Sequence, residues 1–171
     1  MCTDNLKIYP DITTMAGAAF NMFAKTVKQV LANRDICRVA LSGGSTPDSL
    51  FKLFAADNGK SILWEKVELF WVDERLVPLD NEFSNFGRAE KLFIKPLKID
   101  KANIHPATEN YAQELRRLCS DRLRDGFPVF DLMLLGMGSD GHTASLFPGA
   151  EGLVEHEEAV LLVPAPKTVR P

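Results

Sequence analysis

An α/β fold with a mainly parallel sheet is what this sequence predicts, and three observations carry the prediction. Short β-favouring runs alternate with helical patterns along the chain. The runs are apolar on both faces, as strands covered by helices on each side are. Three polar segments, SGGST, DER and GMGSDGH, each follow directly on such a run. That is where open α/β sheets place their ligands, in the crevice outside the carboxyl ends of the strands.

The elements follow in order. From Thr13 to Leu31, the residues Met15, Ala18, Ala19, Met22, Phe23, Val27, Val30 and Leu31 keep the i, i+3, i+4, i+7 spacing of one helical face. Ile36 to Leu41 reads as a strand closed by Ser-Gly-Gly, after which Thr46 as N-cap and Pro47 in the first turn open a helix through about Phe54. Val67 to Val72 is a second buried strand, and beyond a polar loop Ser84 caps a helix carrying Phe86, Ala89 and Phe93. Asn110, with Gln113 three residues on, opens a helix bearing Leu115, Leu118 and Cys119. Phe130 to Leu135 is the third strand and Ala159 to Val163 the fourth, separated by a polar, acidic, loop-like stretch from Pro148 to Glu158.

Composition narrows the function classes. A chain of 171 residues suits one domain with its own core, and no internal repeat or linker divides it. Charged residues at 25% and hydrophobic ones at 46% are globular averages, which argues against disordered, collagenous or coiled-coil classes. Lys and Arg number 20 against 23 Asp and Glu, a net charge of −3, so nothing global attracts nucleic acid or an anionic membrane. The cysteines Cys2, Cys37 and Cys119 are odd in number and widely spaced, indicating neither a disulfide framework nor a zinc site. No apolar run approaches a membrane span and the N-terminus lacks the layout of a secretory signal, so the expected location is cytoplasmic.

Three segments carry the chemistry. In Ser42-Gly43-Gly44-Ser45-Thr46, two glycines let backbone N–H groups turn toward an anion, and the hydroxyls and a helix N-terminus add donors. The segment suits a phosphate, although a plain turn with an N-cap has the same composition. Walker A is excluded because no GK[ST] follows. Asp73-Glu74-Arg75 brings three ionised side chains out of an apolar strand; Arg75 suits a phosphate or carboxylate and a carboxylate there suits a base or orienter, the plainer alternative being a surface ion pair. Gly136 to Gly141 formally matches the dinucleotide fingerprint GxGxxG, but it comes late in the chain and its next strand runs AVLLV into Pro164 without the acidic residue that the fingerprint needs. That fingerprint leaves unexplained Asp140 and His142, two residues apart in a glycine-flexed loop. An imidazole held by a carboxylate suits general-base work on water, with a satisfied structural histidine as the alternative. His105 and His156 have no such setting and read as structural or surface residues. No GxSxG elbow and no HExxH or paired metal-ligand spacing is present. By elimination the chemistry is anion binding with His/Asp proton transfer and no cofactor.

Taken together, ALSGGSTP, FWVDERLVP followed by SNFGRAEKLF, and DLMLLGMGSDGHTASLFPG resemble the signatures of the 6-phosphogluconolactonase family over about Leu41 to Gly149. The related glucosamine-6-phosphate deaminases share the SGGSTP-like loop and an Asp-Gly-His segment, but carry Tyr after the Asp-Glu pair where this chain has Arg75. The resemblance implies a Rossmann-like three-layer α/β sandwich without a nucleotide, as in the deaminase and ribose-5-phosphate isomerase group. It further implies hydrolysis of 6-phospho-D-glucono-1,5-lactone to 6-phospho-D-gluconate in the oxidative pentose phosphate pathway, with neither cofactor nor metal.

Residue by residue, the resemblance gives Ser42, Gly43, Gly44, Ser45 and Thr46 to the substrate phosphate, His142 to activation of water, and Asp140 to orienting His142. Asp73 stands where the deaminases hold their proton-abstracting base and would here position sugar hydroxyls or water. Arg75 would add positive charge for the phosphate or the developing oxyanion, and Lys167 matches the family's basic position as a phosphate ligand; Arg170 is given no role. Because the family continues beyond a PAPKTVRP-like segment, the expectation is a single domain over 1–171 lacking its C-terminal strand and helix. The expected partner is the small sugar-phosphate lactone alone, without nucleic acid or membrane, in a monomer or weak homo-oligomer. The rivals are a deaminase-like isomerase acting on an amino-sugar phosphate and a non-catalytic sugar-phosphate-binding protein.

Overall fold

The computed structural model describes residues 5–164, so Cys2, Lys167 and Arg170 lie outside the described residues. In chain order the elements are α1 (Ile12–Leu31), β1 (Cys37–Leu41), α2 (Asp48–Ala55), β2 (Val67–Trp71), α3 (Asn85–Ala89), α4 (Lys95–Leu97), β3 (Ile104–His105), α5 (Tyr111–Leu118), β4 (Leu123–Arg124), β5 (Phe127–Pro128) and β6 (Leu132–Met133). A π-helical turn, Glu90–Ile94, joins α3 to α4. Strands β3, β2, β1 and β6 form one parallel sheet in that order, while β4 and β5 pair as a separate antiparallel hairpin. No helix among the described residues is long and apolar enough to cross a membrane.

Side-chain alternation along β1 and β2 divides the core in two. Cys37, Val39 and Leu41, with Val67, Leu69 and Trp71, face a cluster filled by Phe20, Phe23 and Val27 of α1, Phe51 and Phe54 of α2, and Phe93. Ala40 and Phe70 face the opposite way, onto Tyr111 and Leu115 of α5 and onto Cys119. The sheet is thus sandwiched between helices, as expected. The second face is not wholly apolar, however. Arg38 and Glu68, opposite one another in the register, form an ion pair there at 3.0 Å. Asp131 ties the start of β6 to this corner: its carboxylate accepts from the Arg38 backbone N–H at 2.8 Å and from Arg122 at 2.9 Å. Burial pushes that carboxyl up, but these donors outweigh burial and hold it below its usual value.

The helices follow the expected pattern, with local corrections. Helix α1 begins one residue early because Asp11 accepts the Thr14 N–H at 2.7 Å, a cap readable as an Asx residue ahead of the periodic run. Its buried stripe is Ala16, Phe20, Phe23 and Val27, each about one turn from the next, whereas Met22 lies off it and is 51% exposed. Pro47, already at helical φ and ψ, takes the cap position before α2, so Thr46 stands one residue outside it. Asn110 precedes α5 without a side-chain cap, and the expected partnership with Gln113 does not form. Ser84 caps α3 as expected, accepting the Gly87 N–H at 2.9 Å.

The fourth strand expected at Ala159–Val163 is absent. An apolar run becomes a strand only against a ladder partner. Here Leu161 and Val163 instead lie beside Gly152 in the short 3₁₀ turn Glu151–Val154. The fourth member of the sheet is β3, only two residues long. Beyond its end the β2 ladder is completed by a side chain: the Tyr111 hydroxyl accepts the Trp71 N–H at 3.0 Å and donates to the Trp71 carbonyl at 2.8 Å. Burial lifts the Tyr111 pKa well above its ordinary value, so this hydroxyl stays protonated and keeps both roles. Tyr111→Phe orphans two buried backbone groups and is expected to lower unfolding stability by about 1–3 kcal/mol, measurable by denaturant titration. His105 is structural, stacked on Phe70 with its Nδ1 3.5 Å from Glu114, and burial depresses its pKa. His156 is exposed.

Candidate active site

Three loops leave the carboxyl ends of parallel strands, and each carries one of the segments singled out in the sequence. The first, 42–46, connects β1 to α2. Ser42 and Gly43 are half-buried, while Gly44, at φ 87°, and Ser45 and Thr46 are exposed ahead of the helix N-terminus. Gly43 is required by close approach, since a Cβ there would sit 1.8 Å from Asn85 Oδ1. A helix start, whose first N–H groups have no partner further along the helix, set next to two serines and a threonine favours an anion.

The second loop follows β2 and separates the three charges of Asp73-Glu74-Arg75. Glu74 serves structure: its carboxylate accepts from the backbone N–H of Arg75 at 2.7 Å, of Asn85 at 2.7 Å and of Phe86 at 2.8 Å, and from Ser84 Oγ at 3.0 Å. It thereby satisfies donors at the start of α3 that would otherwise have no partner within the helix. Asp73 is held differently. Asn85 Nδ2 donates to its carbonyl at 3.0 Å and to its Oδ1 at 3.3 Å, and Ser145 Oγ donates to its Oδ2 at 2.8 Å. Arg75 is half-buried on the same loop.

The third loop follows β6. No α-helix follows Gly141 among the described residues; the chain makes turns directly after it, which is not the structural context of a dinucleotide fingerprint. The loop folds upon itself, with the Gly138 N–H donating to the His142 carbonyl at 2.8 Å and Thr143 Oγ1 to the Gly136 carbonyl at 2.8 Å. Within it His142 Nδ1 lies 2.5 Å from Asp140 Oδ1, and the ring packs on Phe147 with centroids 4.8 Å apart. A carboxylate only accepts, so this contact places the proton on Nδ1 and leaves the Nε2 lone pair as the basic site. The ring's hydrogen bond and the His142 backbone N–H together hold the Asp140 carboxyl below the usual carboxylate range. Gly138 permits the pairing, because a Cβ there would meet the imidazole at 2.3 Å.

Asp73 is the point where the loops meet. Through Ser145 it contacts the His142 loop, and through Asn85, whose Oδ1 abuts Gly43, it contacts the Ser42–Thr46 loop. Asp73, Asp140 and His142 are legible in the sequence as chemistry-bearing residues, whereas Asn85, which is buried, and the task of Ser145 are not. Asn85 lies in the SNFG stretch; its one local signal was a short amide beside the Ser84 cap, and nothing in spacing connects it to Asp73 or Gly43.

The profile of the glucosamine-6-phosphate isomerases/6-phosphogluconolactonase family matches residues 10–171. A protein of Arabidopsis thaliana named as a probable 6-phosphogluconolactonase 4 is 38% identical over 91% of this chain and 67% of its own length. The 6-phosphogluconolactonase of Treponema pallidum is 34% identical over 94% of this chain and 68% of its own. Among solved structures, 6-phosphogluconolactonase from Leishmania guyanensis superposes with a TM-score of 0.80 at 27% identity, covering 96% of this chain and 72% of the other. The loop order along the sheet, the Asp140–His142 pair and these likenesses converge, and the chain belongs to the glucosamine-6-phosphate isomerase/6-phosphogluconolactonase family.

Proposed function

We propose that this protein hydrolyses 6-phospho-D-glucono-1,5-lactone to 6-phospho-D-gluconate, as the names of its relatives suggest, and that it does so in the cytoplasm. The observation that carries the mechanism is the 2.5 Å Asp140–His142 contact in the loop that Ser145 fastens to Asp73. In this reading His142 Nε2 takes a proton from water as the oxygen attacks the lactone carbonyl carbon. The carbonyl oxygen carries the resulting negative charge, and Arg75 supplies positive charge toward it or toward the phosphate. As the intermediate collapses, the bond from that carbon to the ring oxygen breaks and the ring oxygen takes the proton back from the imidazolium. Water and lactone are thus consumed one for one, and the product is the open-chain acid. Asp140 fixes the tautomer throughout. Asp73 retains lone pairs beyond those used by Asn85 and Ser145 and accepts from sugar hydroxyls or the attacking water.

The substrate phosphate sits in the Ser42–Thr46 loop at the start of α2, where backbone donors and the helix dipole favour a dianion. Lys167 belongs to the same proposal as a further phosphate ligand, although it lies outside the described residues. The test is hydrolysis of freshly generated lactone near neutral pH, after subtraction of the spontaneous rate. Turnover clearly above background is expected, with no ammonia released from glucosamine 6-phosphate. Folded protein that leaves the spontaneous rate unchanged overturns the assignment.

A further inference from the structure

The geometry points to Ser145 as the positioning residue that sets His142 against Asp73, an inference that rests on the lactonase reading. Its hydroxyl is 2.8 Å from Asp73 Oδ2 and joins groups 72 residues apart in the chain. Ser145 stands three residues after His142 in a tight turn where Thr143 bridges Leu146, with the Leu146 N–H donating to the Thr143 carbonyl at 2.9 Å. Between them Ala144 adopts φ 49°, a left-handed conformation that a residue with a Cβ holds only when its surroundings impose it.

Those surroundings are specific. Thr143 Oγ1 binds the Gly136 carbonyl at 2.8 Å on one side of Ala144, and Ser145 binds Asp73 on the other. Just beyond, buried Phe147 packs on the imidazole. The strained residue therefore lies between two side-chain anchors, and the histidine is braced from both ends of the turn. The same hydroxyl also completes Asp73, because Asn85 holds only the other oxygen and the carbonyl. Without Ser145, the carboxylate loses the anchor that restricts its rotation, and the turn loses its tie to β2. Ser145 thus acts through both groups without touching the reacting atoms.

The test compares Ser145→Ala and Ser145→Thr with the unaltered protein, each assayed well below its own unfolding temperature. Ser145→Ala is expected to lower kcat by roughly 10- to 100-fold, the scale set by small misplacements of catalytic groups, while KM stays within about twofold. Ser145→Thr keeps the hydroxyl and is expected to restore kcat to within about threefold. Backbone ¹⁵N relaxation over 139–146 is expected to show lower order parameters in the alanine variant and unchanged ones in the threonine variant. Unchanged kcat in Ser145→Ala, or no rescue by threonine, overturns the inference. If the unaltered protein shows no lactone turnover, the lactonase reading fails by itself. The relaxation comparison then decides the tether separately, and identical order parameters in the alanine variant and the unaltered protein overturn it.

Discussion

His142→Ala is expected to lower kcat for lactone hydrolysis by about 10²- to 10⁴-fold while leaving the dissociation constant for 6-phosphogluconate within about twofold. The range is that of a positioned general base, and the reason lies in where the imidazole is held. Asp140 occupies Nδ1 at 2.5 Å, which directs the basic lone pair to Nε2; alanine removes that nitrogen but leaves the Ser42–Thr46 loop untouched. Because the ring is partly solvent-exposed and packs chiefly on Phe147, its loss should cost little folding stability. Steady-state kinetics and calorimetric titration with 6-phosphogluconate check the two halves separately. Equal losses of turnover and binding contradict the base assignment, because a proton-transfer group contributes to the transition state more than to the bound product.

Gly43→Ala has the second largest expected effect, and it acts through Asn85. The new Cβ would overlap Asn85 Oδ1 at 1.8 Å and Cγ at 2.0 Å, separations that no relaxed contact allows. Asn85 has little freedom to yield: it is buried, its N–H is bound to Glu74 and its amide to Asp73. Either the Ser42–Thr46 loop moves outward or Asp73 loses its partner. Overpacking of this kind costs about 1–3 kcal/mol, and KM is expected to rise about tenfold or more with kcat also reduced. Adding Asn85→Ala removes the overlap but not the loss of the Asp73 clamp, so the double variant should regain only the stability lost to overpacking, without recovering kcat. A Gly43→Ala protein with unaltered kinetics would show that the contact between the two loops does not shape the site.

Much of this arrangement is legible in the residues because the physics behind it is local. The i, i+3, i+4, i+7 pattern of α1 and the apolar runs of β1 and β2 fix their elements through burial alone. Glycine-bearing and charged segments after three strands mark the end of the sheet at which the candidate residues gather. What escaped depends on partners distant in sequence. β3 is a two-residue strand whose continuation is supplied by the Tyr111 hydroxyl, which leaves no run to read. Ala159–Val163 has strand composition but packs beside Gly152, so propensity lost to tertiary context. The β4–β5 hairpin did carry a local signal, Asp125-Gly126 with φ 52° and 86°, the two-residue turn that Asp-Gly favours. Within the site, Glu74 read as one of three charges facing the crevice. Its use at the start of α3 spans 11 and 12 residues to Asn85 and Phe86, which no capping pattern encodes.

The order of strands also bears on the order in which the site residues are expected to come together. β1 meets β2 across about 30 residues, as in the Arg38–Glu68 bond, but β6 meets β1 across about 93, as in the Arg38–Asp131 bond. Closing the longer loop costs about 1 kcal/mol more in chain entropy, and non-local pairings form late when their closure must precede their reward. The Ser42–Thr46 loop and Asp73 thus ride on the pair of smaller sequence separation, whereas Asp140 and His142 follow the strand of larger separation, which is expected to dock later. A chain in which β6 has not yet docked is therefore expected to hold the proposed phosphate-binding groups without the proposed base, His142.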